Sequence, residues 1–279
     1  MSLFITSLNS GSNGNCYYVG NGSEAVLVDV GISCREVEKR MTSLGLAIKS
    51  VKAVFISHEH TDHISGLTVL AKKHDVPVYI NPAVLRNSRL VLPDHLIRSF
   101  AADHPVMIGA LKVTPFEKEH DAVEPYSFIV EGNGIKIGVI TDIGMACKRV
   151  VHYFKQCHAA FLESNYDEQM LENGGYPWHL KRRISGGQGH ISNVQALKLF
   201  CDHRPAFMSH LILSHLSKNN NDPAIVDRLF NQHANGVNIT VASRYNATPV
   251  FQINSAGMLP PRVIEPARAS FKPAQLALF

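Results

Sequence analysis

The stretch His58-Glu59-His60-Thr61-Asp62-His63 places four potential metal ligands within six residues of one another. It directly follows the apolar run 51–56, which indicates a buried strand. In extended backbone, side chains at i and i+2 point the same way, so His58 and His60 can converge on one cation. Asp62 and His63 lie where the chain turns into a helix, and they can face a second cation. Imidazole and carboxylate ligands together suit zinc, manganese or iron.

The composition is that of an ordinary globular protein, with 45% apolar and 18% charged residues in a chain of 279. No apolar stretch reaches the length of a membrane span, and the first residues lack the pattern of a secretory signal. The five cysteines are odd in number, widely spaced and without a C-x-x-C motif, which indicates reduced thiols in a cytoplasm. A formal charge of +4 permits a polyanionic partner without requiring one.

Strand and helix patterns alternate through most of the chain. Strands are predicted at 3–8, 16–20, 25–30, 51–56, 76–80, 111–116, 126–131, 135–140, 159–162, 211–213 and 237–241. Helices are predicted after Ser33, over residues 63–73, from Asn193 and from Asp222. Two sheets flanked by helices bury these apolar faces most economically, so the predicted fold is an α/β protein of the αββα sandwich type. We expect one catalytic domain, residues 1–258, and a proline-rich flexible tail, residues 259–279.

The opening stretch has the pattern H-x-H-x-D-H, and through it the chain resembles the metallo-β-lactamase superfamily. In that superfamily two metal ions lie at one edge of the sandwich, and the remaining ligands follow later strands. Three residues of this chain fit those positions, each after an apolar run: His120, Asp142 and His215. The resemblance implies that one metal is held by His58, His60 and His120, that the other is held by Asp62, His63 and His215, and that Asp142 bridges them.

Alternatives to this ligand set stay open. The opening stretch could be a histidine-rich surface loop, and Asp142 could cap a helix. His210 competes with His215, and His104 competes with His120. Asp29, at the end of its own predicted strand, is expected to support the His58 loop by hydrogen bonds rather than to bind a metal.

Two metal ions that share a hydroxide supply a nucleophile at neutral pH and a clamp for the oxygens of an ester, so hydrolysis is the expected chemistry. The leaving group still needs a proton. In the zinc-dependent tRNA 3′-processing nucleases of the superfamily, a Glu after one strand orients a His before a helix. Glu163 and His190 look like these two positions, which implies that His190 is the proton donor and Glu163 its orienting partner, with Asp62 as the catalytic ligand. A capped helix start beside a salt bridge is the structural alternative.

A finer resemblance, to the YycJ/WalJ family of metallo-β-lactamase-fold exonucleases, covers residues 3–257. It rests on S-G-S-N-G-N-C-Y-Y (10–18), T-D-I-G (141–144), E-S-N-Y-D (163–167), Y-P-x-x-L-K-R-R-I (176–184), G-H-I-S-N (189–193) and L-S-H-L-S-K-N-N (213–220). Family members usually carry His where this chain has Tyr166, so the resemblance implies no role for that position. The family implies 5′-to-3′ exonucleolytic cleavage of duplex DNA, associated with mismatch repair.

Several polar residues are expected to contact a nucleic acid. The basic run 181–183 beside Trp178 suits phosphates and stacked bases, although a solvated charged face is the alternative. The loop near residue 12 can bind phosphate through its amides, and the segment after His215 can donate hydrogen bonds. The predicted substrate-binding residues are Ser12, Asn13, Lys181, Arg183, Ser192, Ser217 and Asn219.

The last five residues, Gln275-Leu276-Ala277-Leu278-Phe279, resemble the Q-L-x-L-F peptide by which bacterial repair and replication proteins dock on the DNA sliding clamp. A short apolar peptide on a proline-rich tether can enter a partner groove at little cost to the catalytic domain. The resemblance implies that Gln275, Leu276, Leu278 and Phe279 bind a partner. Folding of these residues back onto their own domain is the alternative.

The function favoured by these patterns is a phosphodiesterase that uses two divalent ions, Zn²⁺, Mn²⁺ or Fe, and acts on DNA more readily than on RNA. A thioester or lactam hydrolase and an RNA-processing nuclease are the alternatives, because the same motif serves all three. The Glu163 and His190 pair and the basic run favour nucleic acid, since a small neutral substrate needs neither. A di-iron flavoprotein is disfavoured because that variant carries Glu in place of His60 and an added flavin module.

Overall fold

The computed structural model of the protein describes residues 2–255, so the predicted boundary after residue 258 and the tail, residues 259–279, lie outside the described part. The described strands form two seven-stranded mixed sheets. The first sheet has the spatial order β14-β1-β2-β3-β4-β5-β6, with β1 Ser2–Asn9, β2 Cys16–Gly20, β3 Ala25–Val28, β4 Val51–Phe55, β5 Val78–Tyr79, β6 Ile97–Arg98 and β14 Phe251–Asn254. The second has the order β13-β12-β11-β10-β9-β8-β7, with β7 Val106–Ile108, β8 Leu111–Glu117, β9 Tyr126–Gly132, β10 Ile135–Ile140, β11 Ala159–Glu163, β12 His210–Ser214 and β13 Asn238–Val241.

Several of the helices begin where a short polar side chain caps them. They are α1 Cys34–Ser43, α2 Thr61–Ile64, α3 Leu67–His74, α4 Pro82–Ser88, α5 Lys148–Phe154, α6 Glu168–Asn173, α7 Trp178–Ser185, α8 Asn193–His203 and α9 Pro223–Asn231. The side chains of Ser33, Ser192 and Asp222 accept backbone N–H bonds at the starts of α1, α8 and α9. Within residues 2–255, the helices fall short of the length and apolarity that a membrane crossing needs.

The sheets pack face to face and each is covered by helices on its outer side. Between the sheets, Tyr17 meets Phe161 at 5.0 Å between ring centroids, and Phe55 meets Phe128 edge-on at 5.6 Å. Val37, Met41 and Leu70 pack α1 and α3 on the first sheet, whereas Phe154, Phe200 and Phe230 pack α5, α8 and α9 on the second. Complete burial of one such side chain stabilises the fold by about 1.5–3 kcal/mol. The predicted αββα sandwich is confirmed.

Two local features differ from the sequence prediction. The helix predicted over 63–73 is divided between α2 and α3, because the backbone N–H of Gly66 donates to the carbonyl of Val30 at 2.9 Å instead of to a carbonyl within a helix. The strand predicted to reach residue 30 ends at Val28, since Asp29 adopts a left-handed conformation with φ 61°. The helices α4 to α7 were not predicted, and α7 contains no buried residue whose spacing could have indicated it.

Candidate metal centre

The strands of the two sheets bring the predicted ligands to one edge of the sandwich. β10, β11 and β12 run parallel, so the residues that follow them meet at the same end of the second sheet. Asp29, Asp142 and His215 each follow a strand and have positive φ values of 61°, 53° and 57°. A non-glycine residue in this conformation costs about 1–3 kcal/mol, and such strain concentrates at functional sites. All three side chains reach the cluster that the H-x-H-x-D-H stretch begins.

His58, His60 and His120 form the first ligand group, with one nitrogen of each within 4.8 Å of the others. His58 Nε2 lies 3.0 Å from His60 Nδ1. His120 donates from Nδ1 to the carbonyl of Gly189 at 2.8 Å, which leaves Nε2 as the available lone pair. Burial lowers the pKa of His58 and His60, and it lowers that of His120 to about 3. All three rings are therefore neutral at pH 7, the form that binds metal ions.

Asp62, His63 and His215 form the second group, again within 4.8 Å. Asp62 Oδ2 lies 3.4 Å from His215 Nε2 and 3.6 Å from His63 Nε2. Burial by itself lowers the pKa of both imidazoles, but the surrounding carboxylates, Asp142 above all, outweigh it. The pKa of His63 is raised well above its usual value, and that of His215 is raised to about 10. The carboxylates thus favour a positive charge here, on an imidazolium or on a metal.

Asp142 lies between the two groups. Its Oδ2 is 3.3 Å from His63 Nε2, and its Oδ1 is 3.3 Å from His215 Nδ1. One of its oxygens also clusters with nitrogens of His58 and His63, one residue from each group. Burial raises the pKa of the Asp142 carboxyl, but His215 and His63 reverse the effect and hold that pKa well below its usual value. A carboxylate in this position can contact both ligand groups.

Two buried atoms test whether these residues fit metal ions. His120 Nε2 and Asp142 Oδ2 have no hydrogen-bond partner within residues 2–255, since the 3.3 Å approach of His63 Nε2 to Asp142 Oδ2 lacks hydrogen-bond geometry. An unpaired polar group of this kind costs about 1–3 kcal/mol when buried, so a native fold that keeps two of them needs a reason. Neutral imidazoles and carboxylates in two adjacent groups are the donors that divalent transition metals use. The residues fit a pair of divalent ions, and they do not select among zinc, manganese and iron.

Comparisons with known proteins identify the family of the chain. The model of the metallo-beta-lactamase superfamily matches residues 10–142. The exodeoxyribonuclease YycJ of Bacillus anthracis is 37% identical over 229 residues, which cover 79% of this chain and 85% of that protein. The chain belongs to the YycJ/WalJ family of the metallo-β-lactamase superfamily.

Further similarities support this membership. The exodeoxyribonuclease WalJ of Streptococcus pneumoniae is 29% identical over 219 residues, which cover 77% of this chain and 81% of that protein. The crystal structure of the metallo-beta-lactamase fold protein YhfI from Bacillus subtilis has the same fold. It matches with a TM-score of 0.67 at 17% identity, over 90% of this chain and 99% of that one. The predicted family and the class of metal-dependent hydrolase are confirmed.

At the rim of the metallo-β-lactamase site, Glu163 contacts two histidines, whereas the sequence predicted one. Its Oε1 lies 2.7 Å from His190 Nδ1 and 3.0 Å from His215 Nδ1. Its Oε2 accepts the backbone N–H of Ile143 at 2.7 Å. Glu163 is fully buried and His190 is half-buried, so the carboxylate fixes the ring through Nδ1 and leaves Nε2 of His190 for another partner.

The structure decides between the alternatives for the ligand positions. His210 begins β12 and His215 follows its end, so His210 lies at the opposite edge of the sheet. His104 is exposed and donates from Nδ1 to the carbonyl of Ala102 at 2.7 Å. Asp142 precedes α5 without capping it, because the N-cap is Cys147.

Asp29 takes the supporting position that its strand end indicated. It accepts the backbone N–H and the hydroxyl of Ser57, both at 2.8 Å. Its Oδ2 also lies 2.7 Å from His63 Nδ1, a contact beyond the predicted support of the His58 loop. The Ser57 hydroxyl in turn lies 2.9 Å from His58 Nδ1, so Asp29 supports His63 directly and His58 through Ser57.

The residues predicted to contact substrate through the first loop lie away from the centre. Ser12 and Asn13 are exposed, and the Asn13 amide donates to the carbonyl of Arg244 at 2.9 Å. Asn15 reaches the centre instead, with Nδ2 at 3.2 Å from Asp62 Oδ2 and 3.1 Å from His63 Nε2. The sequence analysis missed Asn15 because the order of residues in a loop does not tell which side chains point toward the centre and which point to solvent.

The other predicted contacts are mostly engaged within the protein. Arg183 pairs with Asp121, and Lys181 donates to the carbonyl of Glu172. Ser192 is fully buried, where its hydroxyl caps α8 and donates to Glu168 at 2.8 Å, so it does not face a substrate. Ser217 accepts the backbone N–H of Asn220 at 3.3 Å, and Asn219 donates to the Tyr176 hydroxyl at 3.0 Å.

Lys118 is a second residue that the sequence analysis missed. It is buried beside the centre, and its Nζ donates to the carbonyl of Thr141 at 2.6 Å, next to Asp142. Burial lowers the pKa of Lys118, although the negative charges of Asp142 and Asp29 act to raise it. Lysine is almost never fully buried, so there was no reason in the sequence to expect Lys118, two residues before His120, to lie inside the site.

A glycine shapes the backbone of the H-x-H-x-D-H turn. A Cβ on Gly31 would lie 1.6 Å from the carbonyl oxygen of Asp62, so Gly31→Ala must displace the turn. We expect it to destabilise the fold by about 1–3 kcal/mol and to lower the metal content. Thermal unfolding and inductively coupled plasma mass spectrometry measure both effects. Gly175→Ala is the matched control, since a Cβ there meets nothing within 4 Å. Wild-type metal content in Gly31→Ala would contradict the prediction.

Proposed function

We propose that this protein is a metal-dependent 5′-to-3′ exonuclease that acts on DNA and serves DNA repair, including mismatch repair. The observation that carries the proposal is the contact of His190 with Glu163 at the rim of the two ligand groups. This contact would let His190 act as a proton donor next to residues that fit two cations. The names of the relatives, exodeoxyribonucleases YycJ and WalJ, support a DNA substrate.

In the proposed reaction, each residue of the centre has one task. His58, His60 and His120 would hold one ion, Asp62, His63 and His215 would hold the other, and Asp142 lies within reach of both ligand groups. When bound, zinc, manganese or iron ions supply Lewis acidity and activate water for attack on the phosphodiester. His190 gives the proton on Nε2 to the leaving oxygen. Glu163 holds the ring in position through Nδ1.

The candidate substrates differ in how strongly their leaving groups need a proton. Cleavage of a phosphodiester expels an alkoxide, which needs a proton, and the Glu163 and His190 pair can provide it. A thioester or an activated lactam makes less demand on such a donor. A cytoplasmic location belongs to the same proposal, and the five free cysteines support it.

A substrate comparison tests the proposal. The protein is incubated with Mn²⁺ or Zn²⁺ and four substrates: 3′-labelled duplex DNA, the matching RNA, a thioester reporter and a lactam reporter. We expect stepwise release of nucleotides from the 5′ end of DNA, abolished by a chelator. The Asp62→Ala protein, purified in parallel, reveals any contaminating nuclease. Cleavage of only the small reporters, or of RNA alone, would refute the proposal.

The tail adds a partner to the proposal. Residues 275–279 lie outside the described part of the chain, and their Q-L-A-L-F sequence is the support for docking on the DNA sliding clamp. We expect purified clamp to retain the full chain and to lose most of it when residues 275–279 are deleted. Retention is measured by pull-down, with the exonuclease rate on free DNA as the control for folding. Equal retention of both proteins removes the clamp from the proposal.

A further inference from the structure

A groove of about 690 Å³ opens along α6 and α7, and the proposed reaction does not use it. Its lining includes Glu168, Glu172, Trp178, Lys181 and Arg182. The volume lies within the range of about 300–1,000 Å³ that is typical of ligand pockets. The groove therefore has room for a ligand.

Both walls of the groove are bonded to the segment that carries His190. On one side, the carbonyl of Ile184 in α7 accepts the backbone N–H of His190 at 2.8 Å. On the other, the carbonyl of Tyr166 accepts the backbone N–H of Asn193 at 2.8 Å. Arg183 adds a third connection, an ion pair with Asp121, which is the residue that follows His120. The groove is thus bonded through its backbone to the segment that carries the proposed proton donor.

Trp178 gives this groove a flat apolar surface. It is the single tryptophan of the chain, and 70% of it is exposed. The helix α7 buries none of its residues, so core packing does not explain the indole. The guanidinium of Arg182 lies 5.3 Å from the centroid of the ring. Such a pair can stack a planar ligand and hold an anion beside it.

The charges of the groove decide how it would hold a polyanion. Lys181 and Arg182 are balanced by Glu168 and Glu172, so ionic attraction alone is weak there. Within residues 2–255, Arg182 forms no ion pair, and its donors are free for a single phosphate. The exposed indole must supply most of the binding. The faces of bases within a duplex are covered by their neighbours, whereas an unpaired base can stack on an aromatic side chain.

We propose that this groove holds an unpaired stretch of the DNA strand on which the centre acts, with one base stacked on Trp178 and a phosphate at Arg182. This inference rests on the proposed nuclease function and adds a binding site to it. The inference requires that the end of a duplex separates before cleavage, because the strand enters the groove without its complement.

Fluorescence of the single tryptophan tests the contact without any turnover. The metal-loaded full chain is titrated with a phosphorothioate oligothymidylate, which resists hydrolysis, and with a blunt-ended, loop-free phosphorothioate duplex. We expect saturable quenching of the indole emission by the single strand and far less by the duplex. Anisotropy of a labelled oligothymidylate reports binding independently. Binding without quenching, equal quenching by both ligands, or no binding of the single strand would each overturn the inference.

Variants separate this inference from the proposed function. Loss of one stacked base predicts a weaker affinity of Trp178→Ala for the oligothymidylate by about 5- to 150-fold. Trp178→Phe should keep most of the affinity, and Phe207→Ala, at an exposed aromatic before β12, should keep all of it. Hydrolysis of bis(4-nitrophenyl) phosphate by Trp178→Ala should match the wild type. Wild-type affinity in Trp178→Ala refutes this inference alone, whereas a wild-type protein that leaves DNA intact refutes the proposed function.

Discussion

Replacement of His190 by alanine is expected to lower kcat for DNA cleavage by about 10²- to 10⁴-fold while both metal ions stay bound. The loss follows because the leaving oxygen would depart without a proton, whereas the seven proposed ligands remain. His190 is half-buried at the rim, and its ring is fixed by Glu163 at 2.7 Å, so its removal leaves the core intact. Single-turnover kinetics and metal analysis of the same preparation measure both quantities.

The leaving group provides the control for this prediction. A 4-nitrophenyl phosphodiester expels a stable anion that needs no proton. General acid catalysis contributes little when the leaving group is so weakly basic, so the defect of His190→Ala should shrink to about a few-fold with that substrate. His152→Ala, at an exposed histidine of α5, should behave as the wild type. Equal losses on DNA and on the 4-nitrophenyl ester would show that His190 is not a proton donor. Glu163 is less suitable for this test because it also contacts His215.

Replacement of Asp62 by alanine is expected to remove the second ion and to lower kcat by more than about 10²-fold. Asp62 Oδ2 lies near the nitrogens of His63 and His215, at 3.6 and 3.4 Å, so the variant leaves two imidazoles where three donors stood. Metal content should fall from two ions per chain toward one. Inductively coupled plasma mass spectrometry after gel filtration measures it.

The controls for Asp62 distinguish ligand loss from unfolding. Asp62→Asn keeps an oxygen donor of the same shape and should retain part of the second ion. Asp227→Ala, at an exposed residue of α9, should retain both. Full metal content in Asp62→Ala, with activity near the wild type, would remove Asp62 from the proposed ligand set.

The positions that meet at the centre were predictable because each follows an apolar run. His120 comes after β8, Asp142 after β10 and His215 after β12. The ends of these three strands lie at the same edge of the second sheet. The same reasoning separates His215 from His210, which stands at the other end of its strand. The resemblance to the superfamily, together with the apolar run before each residue, therefore carried the information on where these side chains lie.

The features that were missed depend on tertiary contacts. The helix α7 has no buried face, and α4, α5 and α6 span only six or seven residues, too short for a full apolar stripe. The inward turn of Asn15 and the burial of Lys118 depend on neighbours distant in the chain. The second contact of Glu163 likewise arises only when β11 and β12 pair.

Anomalous X-ray diffraction from crystals of the full chain, grown with Zn²⁺ or Mn²⁺ and recorded at the absorption edge of that metal, tests the two-ion centre most directly. We predict two peaks at this edge of the sandwich, one among His58, His60 and His120 and one among Asp62, His63 and His215. Asp142 should contact both. Peaks at other positions, or a single peak with His215 and Asp62 unengaged, would contradict the account.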